Sequence, residues 1–266
     1  MIEIPFTKLH GAENDFLFTW TSDAPNSSDL SNIARRICAR NTGIGADGWM
    51  LVEPAPGGLT TRLFNSDGSE PELSGNGTRC AAAFALVHGL AQSPDVLIET
   101  AAGPKHLRLI TRRERRFSFE MDMGQPLVEE LQTTLILAGR SFDATLLNVG
   151  NPQCVLFVDR FPDTWLAAAR EAERDPRFPQ RTNVSFVRPL DLHSLEVLFF
   201  ERGAGETRSS GTGSTGAAVA AILRGVAESP VEINAPAGTL HLRWEESVFL
   251  TGPAEVIGEG RFFLEL

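Results

Sequence analysis

One pattern occurs twice in this chain and constrains its fold more than any other feature. Residues 74–80 have the sequence Ser-Gly-Asn-Gly-Thr-Arg-Cys and lead into an alanine-rich run at 81–86. Residues 210–216 have the sequence Ser-Gly-Thr-Gly-Ser-Thr-Gly and lead into a second such run, after an offset of 136 residues. A small-residue turn followed by an apolar run predicts the start of a helix. The duplication therefore predicts two matching helix starts, one in each half.

Other features repeat at nearly the same offset. Asn14 and Asn151 are 137 residues apart, and Glu70 and Glu206 are 136 apart. A shared order of elements at one spacing predicts two similar domains. We expect an α/β (α+β) fold with two pseudo-symmetric domains, at residues 1–124 and 125–266, and the C-terminal strand 259–266 is a candidate to complete the first domain.

The alanine-rich runs have no polar face, which is typical of helices buried on all sides. Each domain is therefore predicted to be a curved, mostly antiparallel sheet or barrel around one central helix. Ser27-Ser28-Asp29 predicts the cap of a further helix that runs to about Arg40, and a counterpart is predicted at residues 163–173. Strands are predicted at 49–53 and 61–65 with a loop at 54–58, and elsewhere at 96–100, 106–111, 116–121, 144–147, 183–187 and 195–201.

Composition excludes several classes of function. The net charge of -10 argues against nucleic-acid and anionic-membrane surfaces. No apolar run approaches the roughly 18 residues of a membrane span, and the first residues lack the pattern of a signal peptide. The three cysteines, Cys38, Cys80 and Cys154, are odd in number and widely separated. They predict free thiols in the cytoplasm.

The two predicted helix starts suggest an anion site. A helix N-terminus offers unpaired N–H groups and the positive end of a dipole, so Gly75-Asn76 and Gly211-Thr212 are expected to hold a carboxylate. The alternative is that these glycines only permit tight turns. Arg202 is a candidate to bind a second carboxylate through its planar donors, and the alternative there is an ion pair with Glu201.

A family resemblance rests on motifs that follow one another along the whole chain. They are Lys8-Leu9-His10-Gly11 with Asn14-Asp15-Phe16, Gly43-Ile44-Gly45-Ala46-Asp47-Gly48, Asn65-Ser66-Asp67-Gly68-Ser69-Glu70, Gly75-Asn76-Gly77 with Arg79-Cys80, Gly150-Asn151-Pro152, Thr182-Asn183-Val184, Glu201-Arg202-Gly203-Ala204-Gly205-Glu206-Thr207 and Gly211-Thr212-Gly213. In these motifs the chain resembles the diaminopimelate epimerases, which are amino-acid racemases and epimerases without a cofactor.

The resemblance implies a reaction and a set of site residues. One residue removes the proton from the α-carbon of diaminopimelate and a second returns it on the opposite face, in the synthesis of lysine and peptidoglycan precursors. It places these acid/base groups at Ser74 and Ser210. It also implies substrate contacts from six side chains: Asn14, Asn65, Asn151, Asn183, Glu201 and Arg202. The implied partner is a small amino acid, no cofactor or metal is implied, and a homodimer is expected.

The sequence departs from the family pattern at the acid/base positions. The family has cysteines immediately before Gly-Asn-Gly and Gly-Thr-Gly, where this chain has Ser74 and Ser210, and Gln153 stands where histidine is common. A thiol has a reference pKa of about 8.5, whereas a serine hydroxyl is far less acidic. Without an adjacent general base, a serine is a poor proton acceptor.

Three interpretations of these serines stay open. They are an engineered replacement that still binds substrate, a natural enzyme with another isomerase or dehydratase chemistry, and a non-catalytic amino-acid-binding protein.

Overall fold

The computed structural model describes residues 1–27, 29–91 and 94–265. Within this part of the chain there are four α-helices and sixteen β-strands. In chain order they are β1 (Ile2–Gly11), β2 (Asn14–Trp20), α1 (Leu30–Cys38), β3 (Gly48–Ala55), β4 (Gly58–Asn65), α2 (Gly75–Val87), β5 (Asp95–Thr100), β6 (Gly103–Arg113), β7 (Arg116–Gly124), β8 (Leu127–Leu137), β9 (Arg140–Asn148), β10 (Pro152–Phe157), α3 (Trp165–Glu173), β11 (Asn183–Asp191), β12 (Ser194–Glu201), β13 (Gly205–Thr207), α4 (Gly211–Leu223), β14 (Val231–Ala235), β15 (Gly238–Trp244) and β16 (Val248–Leu264).

The first of two compact units comprises Met1–Met121 and Gly252–Leu266. Its strands are neighbours in the order β1 to β7, and β16 neighbours both β7 and β1. These eight strands therefore close into a barrel. The pairs β2–β3 and β4–β5 are parallel, whereas β1–β2, β3–β4, β5–β6, β6–β7 and β1–β16 are antiparallel.

The second compact unit comprises Asp122–Thr251. From the first residues of β16 its strands follow the order β15, β14, β12, β11, β10, β9 and β8, and β13 pairs with β12. Here β10–β11 and β12–β14 are parallel. Both units repeat one element order, because β1-β2-α1-β3-β4-α2-β5-β6 corresponds to β9-β10-α3-β11-β12-α4-β14-β15. The predicted fold class is confirmed.

Each unit buries one alanine-rich helix. Every residue of α2 from Gly75 to Leu86 is buried, and α4 is buried from Gly211 to Ala221 except at Thr212. Small side chains allow strands to approach such a helix from every side, which explains the absence of a polar face. Neither α2 nor α4, each of 13 residues, nor any other helix in the described part of the chain is long and apolar enough to cross a membrane.

The helix predicted after Ser27-Ser28-Asp29 is α1. Its N-cap is Asp29, whose carboxylate accepts the N–H of Asn32 at 3.1 Å. Ile33, Ala34 and Ile37 are buried on the barrel side of the helix. Ser28 lies outside the described residues. The helix ends at Cys38, two residues earlier than the sequence predicted.

Several other predicted boundaries also differ from the structure. The loop at 54–58 is shorter, because β3 continues to Ala55 and β4 begins at Gly58, with Gly57 at φ +77° in the turn. Pro54 still pairs with Leu59 in this hairpin. The helix predicted at 163–173 begins at Trp165, and the strand predicted at 144–147 extends over the whole of β9. The predicted division into domains at residue 124 stays a prediction.

Candidate active site

The turn before α2 is closed by Ser74. This residue is the N-cap, and its Oγ accepts the N–H of Gly77 at 3.1 Å. Its backbone oxygen also accepts the N–H of Thr78 at 2.8 Å. The hydroxyl therefore satisfies one of the N–H groups that the first turn of a helix leaves without an intrahelical acceptor. The side chain is half-buried, between strand β4 and the helix.

The turn before α4 has the same backbone geometry and one additional contact. Ser210 is the N-cap, and its Oγ accepts the N–H of Gly213 at 3.0 Å. The same hydroxyl donates to Oε1 of Glu201 at 2.6 Å. A hydroxyl has a single proton to donate, so the proton of Ser210 points towards the carboxylate of Glu201. Ser210 is only 2% exposed, and a short bond to a charged acceptor is strong in such surroundings. A carboxylate is therefore adjacent to the hydroxyl of Ser210.

The second glycine of each turn is required by packing. A Cβ on Gly77 would lie 2.9 Å from the terminal methyl carbon of Met50, and one on Gly213 would lie 2.7 Å from the ring of Phe199. These glycines allow the helix start to rest on a strand side chain. A larger residue at position 77 or 213 would therefore displace a strand side chain, whichever role the turns have.

A chain of hydrogen bonds runs away from α2. The guanidinium of Arg79 donates to Oδ1 of Asn76, and Nδ2 of Asn76 donates to Oδ1 of Asn14 at 3.3 Å. Nδ2 of Asn14 then donates to Oδ2 of Asp47 at 2.6 Å. Two predicted substrate contacts, Asn14 and Asn76, are thus brought together and held by neighbours that the sequence analysis did not assign to the site.

The corresponding chain beside α4 is neutral. Nε2 of Gln153 donates to Oδ1 of Asn151 at 2.6 Å, and Nδ2 of Asn151 lies 3.3 Å from Oγ1 of Thr212. The other amide atom of Gln153, Oε1, is buried and has no hydrogen-bond partner among the described residues. Gln153 therefore orients a predicted substrate contact.

Asn183 and Arg202 are joined at the end of β12. Oδ1 of Asn183 accepts the backbone N–H of Arg202 at 3.0 Å, and Nδ2 of Asn183 donates to the oxygen of Pro152 at 3.0 Å. The guanidinium of Arg202 donates to the oxygen of Gln180 at 3.2 Å and is exposed. The side chain of Asn65 instead bonds within its own turn, where its Nδ2 donates to Oγ of Ser69 at 3.0 Å.

A charged cluster flanks the first turn and involves residues from β1, β2 and the loop between α1 and β3. The carboxylate of Asp15 lies 2.8 Å from Nζ of Lys8 and 3.0 Å from Arg40, and Arg40 lies 2.7 Å from Asp47. Burial alone would raise the pKa of Asp15, but hydrogen bonds and charge from Lys8 and Arg40 hold its pKa below the usual value. The cluster fixes Asp47 at the end of the chain that begins at Arg79.

The cysteines lie away from both turns. Cys80 is in α2, Cys154 is in β10 and Cys38 ends α1, and none is more than 1% exposed. All three are free thiols. Burial raises the pKa of each to about 12, so the thiolate is scarcely populated near neutral pH. None of them supplies the acid/base thiol that the resemblance places at the turns.

Comparison with known proteins shows the family. The model of the diaminopimelate epimerase family matches residues 6–128 and 145–257. A diaminopimelate epimerase from Moorella thermoacetica is 38% identical over 277 residues, covering 98% of this chain and 99% of the relative. One from Pelotomaculum thermopropionicum is 35% identical over 276 residues, covering 97% and 98%.

Solved structures with lower sequence identity share the fold. A PhzF-family phenazine biosynthesis protein from Bacillus anthracis has a TM-score of 0.73 at 14% identity and covers 99% of this chain and 100% of its own. A hydroxyproline epimerase from Agrobacterium vitis, solved with trans-4-hydroxy-L-proline, has a TM-score of 0.69 at 16% identity and covers 98% and 91%. Fold and family match together define an isomerase of the racemase and epimerase class. Within that class, the chain belongs to the diaminopimelate epimerase family.

Proposed function

We propose that this protein interconverts L,L- and meso-diaminopimelate by proton transfer at the α-carbon, without a cofactor, in the supply of lysine and peptidoglycan precursors. Ser74 and Ser210 are the acid/base groups. Asn14, Asn65, Gly75, Asn76, Asn151, Asn183, Glu201, Arg202, Gly211 and Thr212 bind the substrate. Family membership at 33–38% identity over nearly the full chain supports this assignment.

The observation that carries the proposal is the 2.6 Å bond between Ser210 and Glu201. A serine hydroxyl alone is a weak base near neutral pH, and it becomes useful when a neighbouring base takes its proton. Glu201 is placed for that transfer, because hydrogen-bond reach is the geometric requirement for a general base. The serine at the second turn thus has the base that the sequence did not reveal.

The proton balance assigns each serine a step. As the Ser210 oxygen takes the α-hydrogen, its own proton passes to Glu201, so the carboxylate is neutralised and the bonding electrons stay on the substrate. That charge is shared with the α-carboxylate, which a helix N-terminus stabilises. The hydroxyl of Ser74 then protonates the opposite face of the carbon, and water restores the proton to Ser74 while Glu201 releases its own.

Arg202 is assigned to the distal end of the substrate. Its guanidinium is exposed, and its backbone is anchored by Asn183. A planar guanidinium matches a carboxylate with two donors, so a second amino-acid end is recognised at a fixed distance from the reacting carbon. This selects a long dicarboxylate over a small amino acid.

A deuterium experiment tests the proposal. The purified protein is incubated with L,L-diaminopimelate in deuterated water, and the products are separated by configuration and weighed by mass spectrometry. We expect deuterium at the α-carbon of the meso product. Absence of α-deuterium from both isomers overturns the assignment.

The double substitution Ser74→Cys with Ser210→Cys provides a second test. Thiols at helix N-termini are stronger acids than hydroxyls, so the exchange rate should rise above that of the wild type. An unchanged rate would show that the acid/base groups do not limit turnover.

A second candidate function follows from the unequal serines. Only Ser210 has a carboxylate acceptor among the hydrogen bonds described here. Proton removal and return on a single face would suit another isomerisation or a dehydration. In deuterated water that chemistry gives labelled substrate of unchanged configuration, whereas a binding protein gives calorimetric binding and no label.

The setting of the reaction is also part of the proposal. We place the protein in the cytoplasm, where three free, buried cysteines remain reduced. A homodimer is expected, and its mass in solution by light scattering checks this.

A further inference from the structure

Arg79 is the one charged residue in an otherwise neutral helix. It lies in α2 one turn after Gly75, and none of its surface is exposed. Nε donates to the oxygen of Pro253 at 3.1 Å, one terminal nitrogen donates to the oxygen of Gly75 at 3.4 Å, and the other donates to Oδ1 of Asn76. Burial lowers its pKa to about 10, which still leaves it charged at neutral pH.

The acceptors of this guanidinium are all neutral. Among the ion pairs of the described residues, none joins Arg79 to a carboxylate. β1 closes over the group at Gly11, where a Cβ would lie 3.4 Å from a terminal nitrogen of Arg79. Burying a cation without an anionic partner is unfavourable for folding, so its retention calls for another explanation.

The hydrogen-bond chain supplies that explanation, because its two ends fix the direction of every bond. A guanidinium only donates, so Asn76 must turn its oxygen towards Arg79. The NH2 group of Asn76 then faces Asn14, which must accept with its own oxygen. Asn14 therefore turns its NH2 group towards Asp47, whose carboxylate only accepts. Neither amide can flip without breaking a bond at a charged end.

We propose that Arg79 is a positioning residue that holds Asn76 and Asn14 in the orientation that presents N–H donors, which makes the first turn selective for a carboxylate. Each amide uses one N–H in the chain and retains a second. Together with the N–H groups at the start of α2, these form a donor-rich surface. An amide turned the other way would present an oxygen and repel a carboxylate.

The inference rests on the proposed function only for the identity of the natural ligand, so its test uses acetate and acetamide. Acetate only accepts hydrogen bonds, whereas acetamide both donates and accepts. Side-chain NH2 signals of Asn76 and Asn14 are followed by NMR in asparagine-labelled protein during titration with each probe. For the wild type we expect shifts at lower concentrations of acetate than of acetamide.

Two variants at position 79 compare a side chain that only donates hydrogen bonds with one that can both donate and accept them. Arg79→Lys keeps a group that only donates, and acetate selectivity should remain within about threefold of the wild type. Arg79→Gln can donate or accept, so Asn76 is free to flip, and the selectivity should fall roughly tenfold. Thr215→Val, in the corresponding position of α4, removes a buried bond to Gly211 and should leave the selectivity unchanged.

Asp47 lies at the other end of the hydrogen-bond chain, and a substitution there distinguishes the effect of side-chain orientation from the effect of charge. Asp47→Asn removes a negative charge, so charge alone predicts tighter acetate binding. It also makes the acceptor end ambivalent, so loss of orientation predicts weaker selectivity, again by roughly tenfold. A lower selectivity for acetate in Asp47→Asn confirms the inference.

The inference is overturned if Asp47→Asn becomes more selective for acetate, or if Arg79→Gln keeps the wild-type preference for acetate over acetamide. It is also overturned if the wild type shows no preference for acetate. A protein that fails to turn over diaminopimelate but shows these selectivities refutes the proposed function and leaves the role of Arg79 established.

Discussion

The two turns have the same backbone and differ in charge. Each begins with a serine N-cap that accepts the N–H three residues later, at 3.1 Å in the first and 3.0 Å in the second. The differences lie at corresponding positions 136 residues apart: the first turn has Asn65 and Arg79, whereas the second has Glu201 and Thr215. A cation therefore contacts Gly75 and Asn76 of the first turn, and an anion contacts Ser210 of the second.

The comparison shows how two copies of one fold come to have helix N-termini with different charged neighbours. Helix geometry supplies the same N-terminal dipole at both turns. In the proposed mechanism, the side chains at these positions determine whether a hydroxyl gives up its proton or stabilises negative charge. We infer that the fold provides the positions and that these four side chains set the direction of proton transfer.

The largest effect is expected from Glu201→Gln. It removes the acceptor of the Ser210 proton while keeping a side chain of similar size, so kcat for α-proton exchange should fall by about 10²–10⁴. Calorimetric binding of diaminopimelate should remain. The matched control is Glu206→Gln, an exposed carboxylate in the adjoining strand β13, which should retain the wild-type rate. Equal losses in both variants would contradict a special role for Glu201.

The acidity of an introduced thiol measures the charge difference between the turns directly. The thiol of Ser74→Cys belongs to the turn that Arg79 contacts at Gly75 and Asn76, and that of Ser210→Cys lies beside Glu201. We expect its pKa to be lower in Ser74→Cys by about one unit or more. Ultraviolet absorbance of the thiolate during a pH titration gives both values, against a background of native thiols with pKa values of about 12. Equal pKa values would remove the proposed asymmetry.

Unequal losses of stability are expected when each serine is replaced by alanine. Ser74→Ala removes an N-cap, which costs about 1 kcal/mol. Ser210→Ala removes an N-cap and also the charge-assisted hydrogen bond that Ser210 donates to Glu201, so a loss of about 3 kcal/mol is expected. Urea unfolding of both variants provides the measurement, with the exposed Ser66→Ala as the control. A larger loss for Ser74→Ala than for Ser210→Ala would be inconsistent with the bond to Glu201.

The smallest effect is expected on the stability of the protein at acidic pH. The pKa of Asp15 lies below its usual value, so its contribution to stability is present at neutral pH and disappears as the pH falls below about 4 and through the folded-state pKa. Asp15→Asn should lower stability at pH 7 and flatten the acid limb of the stability curve. Hydrogen exchange, corrected for intrinsic rates, should show β1 to β3 loosening in acid before β10 and β11. Simultaneous loosening would show that the ion pairs of Asp15 do not determine the acid sensitivity of β1 to β3.

Much of the fold follows from the sequence, because it depends on local patterns and on one repeat. The buried helices α2 and α4 were predicted from their lack of a polar face. β8 was not predicted, since its pairing with β9 shifts register between Val128 and Glu130 and again between Glu130 and Thr133. Such irregularities destroy the alternation on which strand prediction depends.

The candidate site was predicted in its residues and missed in its connections. The motifs located Ser210 and Glu201, but their bond spans nine positions and requires the return from β12 to α4. Arg79 gave a signal that was available in the sequence, because it is a charged side chain inside an apolar run. Its partner Pro253 lies 174 positions away, and no local pattern predicts that contact.

The burial of Cys38, Cys80 and Cys154 has a consequence for oxidative damage. Hydrogen peroxide attacks the thiolate, and susceptibility follows thiolate character and exposure. This chain has three thiols, all buried and weakly acidic, and hydroxyls at both turns. An oxidant therefore finds no thiol at the site where proton transfer is proposed, so cysteine oxidation by peroxide is not expected to change the chemistry of the two turns.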